Sequence, residues 1–466
     1  MTEVMSRYLT AVRAACVALV QSPDDPLARR RLEQASEILE ILIADAENST
    51  PLEERAARQF EELLDKSGAV RAADGSRDFQ AAKTAVARVI QSQTASAGPD
   101  ATDFCRQAVG VEQQLYFDSD RALHQGAAAP QAGGREQGGA DAPGAAAISN
   151  YLSRVFERPV EVAAINTVSL GYSKATYLLD IRPSAEVPSS LVIRMDRPFN
   201  FLGTTVVDEF PVLRVLHDHG IPVPLPYALE RTGAVLGQPF LVVGRVYGKN
   251  VGSHFSFPPA NPDLCRQMGA TLAHIHRLPI ERFGSGLRGV GQSGEQQVAA
   301  EIDRYHADWT SLHAACPTMD AAFRWIMDHA ADAVGARTLV HGDFSLSNVL
   351  VTEDNRISAL LDWEFTQLGF PAADIGWFYT AAQRLASWEE FLSAYRSAGG
   401  AVPPTPQLNF FVLWGLLRLA VMNFQVATGF EAGRMHDLKH AYAGLLFTRE
   451  CIRRVGAFLG PLLEAA

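Results

Sequence analysis

Cysteine is scarce: five residues (Cys16, Cys105, Cys265, Cys316, Cys451) are scattered over 466, with no CxxC pair. An odd, widely spaced set argues against a disulfide framework and a zinc cluster, and fits a reducing compartment. Basic runs are also missing. Lys and Arg number 41 against 52 Asp and Glu, a formal net charge of −11. That balance disfavours nucleic acid or an anionic membrane as partner. The start of the chain lacks the uninterrupted apolar core of a secretory leader, because Arg7 and Arg13 fall within it. The apolar stretch from Phe410 to Leu417 ends at Arg418 and is too short to span a bilayer. From these absences we expect a cytoplasmic protein with no nucleic-acid or membrane partner.

What is present is an ordinary globular composition, 47% hydrophobic and 20% charged, in a chain long enough for two or three cores. Residues 125–147 are almost entirely Ala, Gly, Pro and Gln. Such a segment has nothing to bury and reads as a flexible linker. Before it, residues 1–124 carry helical periodicity. Leu27, Leu32, Ala35, Ile38, Leu39 and Leu42 recur at helical spacing, and Thr50-Pro51-Leu52-Glu53 is written as a fresh helix start. We expect a small all-α bundle there, an accessory that mediates dimerisation or binds a protein partner. Residues 1–120 hold 13 Lys/Arg against 20 Asp/Glu, so most of the net acidity sits in this part.

After the linker, β-type runs at Val160–Val168, Ala175–Ile181, Ser190–Met195 and Phe240–Arg245 precede helical patterns that dominate from Asp263 onward. A strand-rich lobe (about 148–248) followed by a helix-rich lobe (about 249–466) predicts an α+β unit with a cleft. Its chemistry concentrates in His341-Gly342-Asp343-Phe344-Ser345-Leu346-Ser347-Asn348. A hairpin-like stretch follows and ends in Asp362-Trp363-Glu364. Asn348 and Asp362 flank that hairpin, and two hard oxygen donors of this kind suit Mg²⁺, which takes its other ligands from water and phosphate. Asp343, on the same loop, is placed to accept a proton from a hydroxyl.

This segment resembles the catalytic loop and metal motif of the aminoglycoside phosphotransferase and choline kinase-like family. The nearest branch comprises the phosphotransferase domains associated with acyl-CoA dehydrogenases. The resemblance implies a bilobal protein-kinase-like fold, with ATP (or GTP) as cosubstrate and Mg²⁺ as cofactor. It implies Asp343 as catalytic base, Asn348 and Asp362 on the metal, and His341 and Asp374 supporting the loop. The turn Ser169 to Tyr177 resembles the phosphate-covering loop, with Ser173 a phosphate contact and Lys174 either a second one or a solvated turn residue. Arg194 stands where kinases carry their phosphate-binding Lys, and Glu209 where they carry its partner. The stretch from Gly237 to Gly248 resembles the inter-lobe hinge, whose backbone near Val243, Arg245 and Val246 would read the nucleotide base. His276 resembles a family His that serves packing.

The implied reaction is transfer of a γ-phosphoryl group to a hydroxyl on a small molecule. Residues 375–466 carry eight Arg/Lys against six acids, which tilts against a polycationic acceptor. Arg418, inside an apolar run, wants either an anionic substrate group or a buried carboxylate. Together with the Arg194 resemblance to the acyl-CoA dehydrogenase-associated branch, these favour a neutral or anionic hydroxylated metabolite such as a hydroxyacyl thioester. An aminoglycoside-type antibiotic kinase and a nucleotide-binding pseudokinase are the alternatives.

Overall fold

A computed structural model of the chain describes residues 7–14, 26–67, 79–92, 99–124, 144–168, 174–183, 186–197, 204–435 and 440–465. The expected linker at 125–147 lies outside them except for its last four residues, and so does Ser173 with the turn before it. The chain divides into two compact units, neither continuous in sequence. One gathers Met1–Pro130, Glu295–Val334 and Asn409–Ala466; the other gathers Gln131–Gly294 and Gly335–Leu408.

The second unit, which holds Asp343, Asn348 and Asp362, is α+β. Helix α1 (Ala145–Val155) leads into strands β1 (Val162–Val168), β2 (Lys174–Ile181) and β3 (Ser190–Asp196). Helix α2 (Val206–Asp218) and strands β4 (Pro226–Glu230) and β5 (Phe240–Gly244) complete an antiparallel sheet of order β1-β2-β3-β5-β4. Three of the four expected strands match within one residue at each end; β1 begins two residues later than expected. β4 had no clear alternation and was not anticipated. Successive strand residues face opposite ways. Tyr177, Leu179, Ile181, Leu191, Ile193, Phe240 and Val242 therefore pack on Ile148 and Leu152 of α1 as one apolar core. Each such side chain contributes about 1.5–3 kcal/mol when buried. The same period turns Arg194 to the other face, towards α2.

Beyond the sheet come β6 (Lys249–Asn250), helix α3 (Pro262–His276), β7 (Thr338–Val340), β8 (Val349–Val351), β9 (Ile357–Leu360) and β10 (Gln367–Gly369). Three short helices follow: α4 (Pro371–Trp377), α5 (Tyr379–Leu385) and α6 (Trp388–Ser397). β8 and β9 form the expected hairpin, with Val349 opposite Leu360, and Asn355 takes a left-handed backbone (φ 58°) in its turn. α3 starts on an Asn261 cap that accepts from the Leu264 amide, with Pro262 in the first turn.

The other unit is helical where described. Thr50-Pro51 does not start a new helix, as the sequence suggested. One helix runs from Pro26 to Ser67 with Pro51 inside it. A proline there removes one backbone bond and costs about 3 kcal/mol. Buried faces on both sides, Ala35 and Ile38 before it and Phe60, Leu63 and Leu64 after it, hold the helix together across the break. Helices Phe79–Ser92, Pro99–His124 and Pro317–Asp328 share a buried polar knot. Lys83 Nζ lies 2.8 Å from Glu112 and donates to the Tyr116 hydroxyl (3.2 Å), while Glu112 accepts from the Thr318 amide (2.8 Å). Helix Thr405–Glu431 runs straight through Arg418. By length and apolarity it is long enough to cross a membrane, but 67% of its most apolar window is buried in the protein, as in a core helix.

Candidate active site

The loop between β7 and β8 is tied down from behind. Asp374, fully buried in the first turn of α4, accepts from the backbone amides of His341 (2.7 Å) and Gly342 (2.8 Å). His276 on α3 reaches the same carboxylate through Nε2 (3.2 Å) and meets the Tyr395 hydroxyl at Nδ1 (2.9 Å). Both residues therefore support the loop. His341 Nδ1 accepts from the Asp343 amide and Nε2 faces the Leu361 carbonyl at 3.1 Å. Gly342 has φ 83°, and a Cβ at that position would stand 2.5 Å from the Phe365 carbonyl oxygen. An Arg, as protein kinases carry there, does not fit.

Asp343 is gripped at both oxygens. Trp377 Nε1 donates to Oδ1 (2.7 Å), and Asn348 Nδ2 donates to Oδ2 (2.8 Å) and to the Asp343 carbonyl (3.0 Å). His254 Nε2 stands 3.7 Å from Oδ1, its ring edge-on to Trp377. Burial acts to raise the carboxyl, but His254, His341 and the Trp377 N–H outweigh it and hold the group below the usual carboxylate range. Because Asn348 spends its amide nitrogen on Asp343, its amide oxygen is the atom suited to a cation.

Asp362 follows β9 with φ 64°, a left-handed conformation that Asp tolerates better than most residues. The Leu361 amide donates to the Asn348 carbonyl (2.8 Å), which fixes Asp362 one residue from the strand pair that starts at Asn348. Arg194 bridges the two sides of the cleft. Nη1 lies 2.7 Å from Glu209 of α2 and Nη2 lies 2.8 Å from Asp362. Burial pushes the Glu209 carboxyl up, against the pull of Arg194. The two acids keep the guanidinium charged despite its own burial. Among the described residues no three His, Cys, Asp or Glu cluster as a closed metal cage. Asn348 offers an amide oxygen and Asp362 a carboxylate, the hard oxygen donors that could hold Mg²⁺.

Lys174 is not a solvated turn residue. It is 2% exposed at the start of β2, and its ammonium faces Thr204 O (2.9 Å), Thr204 Oγ1 (3.1 Å), Asp196 (3.3 Å) and Glu364 (3.4 Å). Its three N–H donors are spent within the protein. In the hinge region, Val243 is buried on β5 opposite Val192, while the Arg245 side chain turns to Asp180 (3.5 Å) and lies over the Tyr247 ring. Val246 is half-buried. Arg418 belongs to the helical unit, where Nε meets the Tyr305 hydroxyl at 3.4 Å and the guanidinium lies over that ring.

Four residues of the site were not anticipated: Trp377, His254, Asp196 and Glu364. Trp377 carried a faint signal, three positions after Asp374 on one helix. The sequence around His254 carried none.

A sequence profile of a phosphotransferase enzyme family matches residues 164–411. Acyl-CoA dehydrogenase family member 11 of Rattus norvegicus is 30% identical over 285 residues, which is 56% of this chain and 35% of that protein. Its counterpart in Gallus gallus is 26% identical over 331 residues, 64% of this chain and 41% of that protein. The chain thus spans well under half the length of these relatives. Among solved structures, a protein from Ralstonia eutropha assigned to the aminoglycoside phosphotransferases superimposes with TM-score 0.54 at 19% identity. The match covers 67% of this chain and 97% of the other, a likeness of fold.

Proposed function

The chain belongs to the phosphotransferase enzyme family, and on that premise we propose that it moves the γ-phosphoryl group of ATP, or of GTP, to a hydroxyl of a small molecule. The observation that carries this reading is the state of Asp343: a carboxylate held ionised and fixed at both oxygens, on the loop whose other end is Asn348. In the proposed reaction Asp343 orients the acceptor hydroxyl and takes its proton as the oxygen attacks phosphorus. Arg194, oriented by Glu209, faces the nucleotide phosphates. Asn348 and Asp362 would hold Mg²⁺, which supplies charge neutralisation at the transferring phosphoryl group. The backbone near Val243 to Val246 meets the base. Most of the acceleration then comes from positioning and fixed charge. Cys105, Cys265, Cys316 and Cys451 are buried and not joined in disulfides, which suits a reducing compartment, and we assign the protein to the cytoplasm.

For the acceptor, the reading is a neutral or anionic hydroxylated metabolite, specifically a hydroxyacyl thioester. It is supported by the relatives' name, acyl-CoA dehydrogenase family member 11, and by the basic lean of residues 375–466. The full-length protein should consume Mg·ATP with a panel of hydroxyacyl-CoAs and yield products carrying one added phosphoryl group by mass. Turnover with aminoglycosides alone would overturn the acceptor assignment, and no turnover with any hydroxyl compound would favour a pseudokinase. Asp343→Asn should abolish transfer while ADP binding, followed by calorimetry, stays near wild type. Retained transfer in that variant would remove Asp343 from the mechanism.

A further inference from the structure

The Arg194–Asp362 ion pair raises a question about how the candidate metal ligand is held. A carboxylate that ligates a cation divides its charge between the cation and any neighbouring guanidinium, so this pair weakens as the metal arrives. A second link joins the same loop to the same sheet and carries no such competing demand. Glu364 lies two residues beyond Asp362, with the buried Trp363 between them (1% exposed). Its carboxylate is 3.4 Å from Lys174 Nζ and accepts from Thr204 Oγ1 at 2.7 Å.

Lys174 is in turn fixed by the sheet. It is the register partner of Asp196 across β2 and β3, and that acid lies 3.3 Å from its ammonium. Asp196 also accepts from the Thr205 hydroxyl (2.5 Å) and the Val206 amide (3.0 Å), at the start of the helix that carries Glu209. One buried cation thus joins β2, β3, the start of α2 and the 362–364 loop. Every polar group named here has a partner, which is what makes a buried charged network rigid.

From this we infer that Lys174 and Glu364 are positioning residues for the metal site: through the Trp363 segment they hold Asp362 in place to ligate, whatever Arg194 does. The inference rests on the reading of Asp362 as a Mg²⁺ ligand. It makes the placement of a lysine at the first residue of β2 a matter of metal affinity, with no contact to phosphate.

The test measures the Mg²⁺ concentration at which full-length, ADP-saturated protein gains half of its metal-dependent thermal stabilisation. Lys174→Met and Glu364→Gln should each raise it by about 10- to 100-fold, the usual cost of losing a group that orients a ligand. ADP binding in EDTA should stay close to wild type, and Lys174→Arg, which keeps the charge, should recover part of the loss. Should Lys174→Met fail to fold, Glu364→Gln decides alone, because the amide is isosteric and still accepts from Thr204. Lower melting temperatures with a wild-type Mg²⁺ requirement would overturn the inference and leave an ordinary structural ion pair. If wild-type protein gains nothing from Mg²⁺ and ADP, the nucleotide-site reading itself falls and takes this role with it.

Discussion

Two aspartates, the half-buried Asp343 and the buried Asp320, show how local donors decide the state of a carboxylate. Asp343 has Trp377, Asn348 and His254 around it and sits below the usual range. Asp320, in the helical unit, accepts from Trp309 Nε1 (2.9 Å) and from Gln91, but burial outweighs both and pushes it up to about 6. A folded-state value above the unfolded one means that the protonated form suits the fold. The stability from Asp320 is therefore full at pH below about 4 and is lost as pH rises to about 6. Asp320→Asn keeps the acceptor for Trp309 and removes the charge. Above pH 6 it should stabilise the protein by about 1–3 kcal/mol, with the gain vanishing towards pH 4, in urea titrations run across that range. A pH-independent difference would contradict this assignment. At this scale the sequence was legible where spacing carries the chemistry. Asp343, Asn348 and Asp362 are bound by loop and hairpin length. Trp377 and His254 reach Asp343 from distant segments, and no local pattern marks such contacts. Lys174 misleads for another reason: a lysine beside a glycine turn reads as solvated unless its buried acids are known.

Among the elements, the strands and the β8–β9 hairpin were readable because their alternation and turn residues agree. The helix through Pro51 was not, since local capping chemistry pointed one way and tertiary burial of both flanks pointed the other. Nor does helical periodicity disclose which helices pair. The Lys83–Glu112 contact joins the helices Phe79–Ser92 and Pro99–His124, and the Thr318 amide adds Pro317–Asp328 to the same carboxylate. Burial alone would lower the Lys83 value, yet Glu112 holds it well above the ordinary one. Lys83→Met leaves Glu112 charged and buried, and should destabilise the chain by about 3–5 kcal/mol in urea denaturation. A change below 1 kcal/mol would show that the pair is not the tie between these helices.

On the scale of the whole molecule, the sequence suggested one cut, an Ala/Gly segment between an accessory bundle and the phosphotransferase domain. The compact units instead interleave, with residues from 1–130, 295–334 and 409–466 gathered into one. Composition marks a linker well but says nothing about which distant helices close a core. Whether the N-terminal helices also serve a dimer or a partner, their apolar faces are spent on this core. Removing residues 7–124 from the chain should therefore give an insoluble or molten product by circular dichroism and size exclusion. A soluble, cooperatively melting truncation would instead establish the bundle as a separable accessory. The arrangement also has a bearing on how the protein comes into being. Tyr8, Val12 and Ile38 share a core cluster with Phe430, Tyr442 and Leu445, so these helices wait for partners made much later in the chain. During synthesis, at about 5–20 residues per second, the leading helices leave the ribosome with their apolar sides uncovered for tens of seconds. The nascent chain, more than the finished fold, therefore exposes the kind of apolar surface that aggregates.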